Sequence, residues 1–443
     1  MSDNQPRPID PAWVRGMTQP RLSRRQILRY AGAGAGALGL SSILAACGVG
    51  GEAQETGPTA GGEGSPEWWA EMKAKGPGDN INFTNWPAYI DRDFSVDGPG
   101  SRPSLYEFTK ATGINVTYRA DISENAAFYA SIRPAMEAGQ DTGHDIIVMS
   151  NTQELEEMIA LGYLIELDPE LHPNWDANVS PQFKDPLYDP GNKYTMVWQS
   201  GATGIGWNTK YVDEAPTSLD DLLNPKYAGH VGMFGNVDDA PNLALLHLGI
   251  DPETSSPDDW QKAADYLQRF NDSGALRGWY DQAYLTAIEN EDLWVTMAWS
   301  GDILNDKVYF PEYKTFEFSI PEYGGVSFID NCCIPNKAQN PVGAEMLMDW
   351  YYDPKYAAML TEWNIYVSPV PGGKDIVDAD AKAAGDAHDY GSWMTDGELL
   401  DFIATNPYVY PTPEFAAKIH KYRVLKGDEV QTWNDLFNPI FLT

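Results

Sequence analysis

Between residues 80 and 162, short apolar runs and helix-like stretches take turns along the chain. "INFTNW" reads as a strand, "SLYEFTKATG" as a helix closed by Gly113, and "INVTYRAD" as a second strand. "ENAAFYASIRPAMEAG" follows as a helix, again closed by a glycine, then "HDIIVMS" as a buried strand and "NTQELEEMIALG" as a capped helix. Strands joined by helical crossovers run parallel, and a parallel sheet must be covered on both faces, so the fold class is α/β. In such sheets ligands collect beyond the C-terminal ends of the strands. That places Trp86, Tyr89 and Ser150 on one rim. "NFTNWPAYID" crowds two large aromatics around a proline there, where a polar turn would do, and this marks the rim as a candidate binding surface.

Further on, "YTMVWQSGATGIGWN" (194–208) interrupts two apolar strand-like pieces with Gly201, Gly204 and Gly206. It is either a bulged strand or a crossover between two lobes. "DDWQKAADYLQRFND" reads as an amphipathic helix, and "DLWVTMAWSGD" as a strand ending in a tight turn at Ser300-Gly301-Asp302. "GGVSFIDNCCIPNKA" is another strand and "PVGAEMLMDWYY" another helix, with no internal repeat.

The N-terminus speaks to location. "RLSRRQILR" carries the Arg24-Arg25 pair, and an Ala/Gly/Leu run leads to "LAAC", ending at Cys47. The pattern is that of a twin-arginine export signal joined to a lipobox. The run is too short, and too rich in Ala and Gly, for a comfortable membrane span. Residues 1–46 are therefore expected to be a signal, with Cys47 lipidated and holding the protein to a membrane. Residues 47–78 are expected to be a flexible tether containing one short helix, "PEWWAEMKAK", with the packed part beginning near Asp79. Of the other cysteines, Cys332 and Cys333 are adjacent, a spacing that rarely bridges, and read as small apolar strand residues.

The 443-residue chain has a formal net charge of −34. Without residues 1–46, which carry six Lys/Arg and two Asp/Glu, the net charge is −38. Nucleic acid is excluded as a partner at that charge. Disorder is excluded by 43% hydrophobic and 12% aromatic content, and the length suffices for two lobes with full cores. The acidity serves either solubility at a cell surface or attraction of cations.

Catalytic templates are poorly matched. The six histidines share no H-E-x-x-H spacing, and there is no G-x-S-x-G elbow. "DRDFSVDG" (91–98) is a poor calcium loop, lacking the glycine and the glutamate such a loop needs. No metal, cofactor or catalytic residue is expected. Acids do stand beside aromatics at strand ends: Trp299 and Asp302 in "WSGD", Phe328 and Asp330 in "FID", Asp238 and Asp239 in "NVDDAPN". Each has a plainer reading. Trp299 can be core, Asp302 can close a turn, and Asp238 and Asp239 can cap a helix. Together they suit an organic cation with an apolar middle: rings attract ammonium groups and cover methylenes, and carboxylates offset the lost hydration.

Several segments, in order, resemble the spermidine/putrescine-binding proteins of ABC importers, members of the periplasmic binding protein superfamily. They are "NWPAYI", "FTKATGINVTY", "HDIIVMS", "GATGIGWN", "WSGD", "FIDNCCIPNKAQNP" and "NIYVSPVP", spanning about residues 80–370. The resemblance implies a two-lobed fold of type II, with the ligand shut in a cleft between lobes joined by crossing segments. It divides the chain into lobe 1 (79–200), lobe 2 (201–325), a return to lobe 1 (326–368) and a C-terminal part of lobe 2 (369–443). It implies ligand contacts from Trp86, Tyr89, Ser150, Asp239, Trp299, Asp302, Phe328, Asp330 and Tyr366. Asp302 and Asp330 would be the paired carboxylates, and Trp299 and Phe328 the stacking faces. The implied partners are a polyamine, nearer putrescine than spermidine, and the membrane subunits of an ABC permease, with the binding protein a monomer. Ala88 and Asn236 stand where family members often carry acids, which leaves room for a different amine spacing or another cationic solute. The same fold binding a sugar, an amino acid or a betaine-like cation is one alternative, and a surface hydrolase using an acid pair is the other.

Overall fold

A computed structural model of the protein describes residues 62–92, 98–388 and 392–442. The export signal, Cys47 and most of "DRDFSVDG" lie outside these residues.

In chain order the first half runs α1 (Pro66–Lys75), β1 (Asn80–Thr84), α2 (Pro103–Thr112), β2 (Asn115–Arg119), α3 (Asn125–Glu137), β3 (Ile146–Ser150), α4 (Gln153–Ala160), α5 (Pro173–Asn178) and β4 (Met196–Asn208). Then come β5 (Val231–Phe234), α6 (Asp239–His247), α7 (Pro257–Ser273), β6 (Leu276–Tyr280), α8 (Ala283–Glu289), β7 (Val295–Trp299), α9 (Ser300–Tyr309), β8 (Phe316–Ser319) and β9 (Gly325–Cys333). The chain closes with α10 (Pro341–Trp350), α11 (Pro354–Asn364), α12 (Gly373–Ala384), α13 (Asp396–Thr405), α14 (Pro413–Ala416), β10 (Ile419–Lys421) and α15 (Asp428–Phe441).

The strands order as β2-β1-β3-β9-β4-β7-β5-β6, with β10 beside β9 and β8 beside β4. Two parallel groups, β2-β1-β3 and β7-β5-β6, flank the central pair β9 and β4, which run antiparallel to each other, with β9 antiparallel to its neighbour β3 and β4 to its neighbour β7. β4 answers the choice left open by its glycines. It is one strand of 13 residues, buried throughout, with a register shift between Val197 and Gln199, and it joins the two groups. The glycines are there because neighbours press on them. A Cβ on Gly201 would lie 2.9 Å from Tyr366 Cδ1, and one on Gly206 2.9 Å from Ala298 Cβ. Cys332 and Cys333 lie buried in β9 and form no disulfide.

Three expectations change. Packed structure begins before Asp79: the Trp69 indole is buried and its Nε1 donates to the Glu166 carbonyl at 2.8 Å, so the tether assigned to 47–78 ends short of α1. The apolar body of Trp69, with one polar handle, docks the helix on the fold. Ser300-Gly301-Asp302 is the first turn of α9 and not a tight turn; small polar residues suit both. Thr152 stands at the N-cap of α4 without a side-chain bond to the helix backbone, and its hydroxyl donates to Glu154 Oε2 at 2.6 Å.

The acidic stretch after Lys374 forms most of α12. Val377 and Ala381 on its inner side join Leu399, Leu400 and Ile403 of α13 in a second core. Leu304 and Val308 of α9 belong to the same core, so this helical pair backs the helix that carries Asp302.

Candidate functional site

The strand ends and the central pair bring the acids together. Ser150 closes β3, and its register partner across the β3–β9 ladder is Asp330. Trp86 and Tyr89 follow β1. Trp299 closes β7 opposite Thr203 of β4, and Asp302 follows in α9. Asp239 opens α6 just beyond β5. All nine residues implied by the resemblance line a single cavity of about 460 Å³. Asp302 and Asp330 therefore face one shared hollow.

Asp330 is buried. Its Oδ1 accepts the Ser150 hydroxyl and its Oδ2 the Tyr89 hydroxyl, both at 2.6 Å. Burial raises its carboxyl pKa to about 6, against the lowering effect of those two hydrogen bonds. Asp302 accepts Tyr366 OH at 2.8 Å and Tyr284 OH at 3.1 Å. Tyr89 and Tyr366 meet edge to face at 5.3 Å, so the two carboxylates are linked through a pair of packed phenols. Phe328 stands against Tyr366 at 5.8 Å and Trp299 at 6.2 Å, which continues the aromatic wall. Trp86 is half-buried and its Nε1 donates to the Val148 carbonyl at 3.2 Å.

Asp239 behaves differently from the other two. Its Oδ1 accepts from Thr203 and, at 2.5 Å, from Tyr422; its Oδ2 accepts from Asn236 at 2.9 Å and Trp299 Nε1 at 3.3 Å. A carboxylate offers about four acceptor positions, and four donors fill them. Asp239 thus holds the Trp299 indole in place, while Asp330 keeps acceptor capacity for something else. Burial raises the Asp239 carboxyl, and these four bonds only partly offset the rise.

The cavity also holds residues that no sequence motif marks. Glu124, Glu154 and Asp281 also line the cavity. Asp238 is part-exposed by surface yet closely surrounded by protein. That enclosure, then Glu154 and Asp239, drives its carboxyl well above the usual range. Tyr284, Thr203 and Tyr422 hold the acids. Tyr422 lies 183 residues from the carboxylate it binds. Among the described residues no group of three or more His, Cys, Asp or Glu is arranged to hold a metal ion. Among them, too, no helix is long and apolar enough to cross a membrane.

Residues 141–392 match the family of bacterial extracellular solute-binding proteins. Spermidine/putrescine-binding periplasmic protein 1 of Haemophilus influenzae is 31% identical over 363 residues, covering 82% of this chain and 89% of that protein. The chain belongs to this solute-binding family. The putrescine-binding periplasmic protein PotF of Escherichia coli is 26% identical, with 80% of this chain and 89% of PotF covered. PotD of Streptococcus pneumoniae shares the fold at a TM-score of 0.64 and 21% identity, over 82% of this chain and 99% of that one. The α/β periplasmic-binding-protein fold follows, and the relatives are solute-binding transport proteins, not enzymes.

Proposed function

We propose that this solute-binding protein captures a polyamine of the putrescine/spermidine class outside the cytoplasmic membrane and delivers it to an ABC permease. The observation that carries this reading is the meeting of Asp302 and Asp330 on one aromatic-walled cavity. The ammonium ends of an alkyl diamine pair with carboxylates, and Trp86, Tyr89, Trp299 and Phe328 cover the methylenes between them. The names of the relatives support the ligand class.

The strand groups on either side of β4 and β9 act as two lobes, divided near residues 200, 325 and 368, and a ligand touching both favours their closed arrangement. Export by the twin-arginine route and lipidation at Cys47 keep the protein near its permease, where it acts as a monomer. Mass spectrometry of small molecules released from the purified protein tests the reading. A di- or triamine is expected, and release of a neutral sugar in its place would refute it.

A further inference from the structure

Asn364, at the C-terminal end of α11, lines the same cavity and is 3% exposed. Its Oδ1 accepts the Tyr366 backbone N–H at 3.2 Å. That bond fixes the amide, since a flip would set two donors against each other. Its Nδ2 is then buried with no hydrogen-bond partner among the described residues. A buried donor left without an acceptor is costly, and folded proteins seldom keep one.

The backbone around it is not free to relax. Ile365, fully buried and β-branched, sits at φ 56°, in the left-handed region that such residues avoid. Strain of this kind persists where the surroundings impose it, and here it lies between two cavity residues. On the other side, Trp363 Nε1 donates to the Ala88 carbonyl, and the Trp363 carbonyl accepts Asn305 Nδ2, each at 2.8 Å. The Asn364 amide is thus held rigidly two residues from the tyrosine that binds Asp302. An ammonium group has no lone pair with which to accept from it.

We infer that Asn364 is a specificity-determining residue whose Nδ2–H donates to a neutral acceptor, a hydroxyl or amide carbonyl oxygen, on a solute whose ammonium group faces Asp302 and Asp330. The inference rests on the reading of the cleft as an organic-cation site and narrows it: the solute class includes N-acylated diamines and amino alcohols beside plain polyamines.

Calorimetry on the purified protein with putrescine, N-acetylputrescine, 4-amino-1-butanol and n-butylamine tests this. At least one of the two acceptor-bearing amines is expected to bind about fivefold or more tighter than n-butylamine, and which one does so separates carbonyl from hydroxyl. Asn364→Asp keeps the oxygen that receives the Tyr366 N–H and replaces the donor with an acceptor. It is expected to weaken that ligand about fivefold or more relative to putrescine, which carries no acceptor for the lost donor. Acceptor-bearing amines that bind no better than n-butylamine would overturn the inference without any variant. So would an equal shift of every ligand in Asn364→Asp, which marks a purely structural amide. If none of the four amines binds the unaltered protein, the organic-cation reading itself fails, and this one with it.

Discussion

Asp330 is where the chemistry of single residues can be measured. Its folded-state pKa, about 6, lies above its ordinary 3.8, and burial is the main cause. The stability it contributes is therefore full below about pH 4 and lost as pH rises through about 6, roughly 3 kcal/mol in all. Binding a cation needs the charged form, so ligand affinity moves the opposite way. Calorimetry should show about tenfold weaker binding near pH 5 than near pH 7.5, as the ligand must displace a proton. Asp330→Asn should weaken binding by about tenfold or more and flatten that pH dependence. Trp86, Tyr89 and Ser150 were legible because strand ends in a parallel sheet have a known use. Two donors to Asp239 were not: Tyr422 reaches it from 183 residues away, and Thr203 sits in a glycine-rich stretch that draws attention to its backbone and not to a hydroxyl.

Two glycines show how elements meet. Gly301 lies in the first turn of α9, where alanine would ordinarily favour the helix by about 1 kcal/mol. A Cβ there would stand 2.6 Å from three atoms of the Tyr366 ring. Gly301→Ala is therefore expected to push Tyr366 off Asp302 and weaken ligand binding by about tenfold, with a lowered melting temperature in place of the gain that helix propensity alone would give. Calorimetry and a thermal melt on the same sample check both parts. From sequence the glycines of β4 read as interruptions of a strand. In the fold they are contacts, since Gly201 lets the Phe328 and Tyr366 rings lie against the backbone. The Ser-Gly-Asp stretch reads as a turn from sequence because turn formers and helix starters are the same residues, and only the second core behind α9 decides between them.

At the scale of the whole molecule, the order of strands and helices was legible because the alternation is regular and most helices end at glycine or begin at proline. Continuity of the sheet was not. That β4 and β9 join both strand groups depends on pairings between segments far apart in the chain, such as Gly201 with Phe328 and Thr203 with Trp299. The helix of α1 was legible and its docking was not, because the Gly-rich composition before it gives no warning of a buried tryptophan. Ligand at about a hundredfold excess over its Kd should stabilise the protein by about 2.7 kcal/mol, visible as a raised melting temperature. Cys47→Ser, expressed in a host that processes lipoproteins, is expected to move the protein from the membrane fraction to the soluble one. An unchanged distribution would reject lipid anchoring at that residue.

The most direct measurement is calorimetric titration of the purified protein with putrescine and spermidine beside neutral 1,4-butanediol. The arrangement of carboxylates and rings predicts saturable binding of at least one amine and none of the diol. Equal binding of diol and amine, or binding of neither amine, would contradict it.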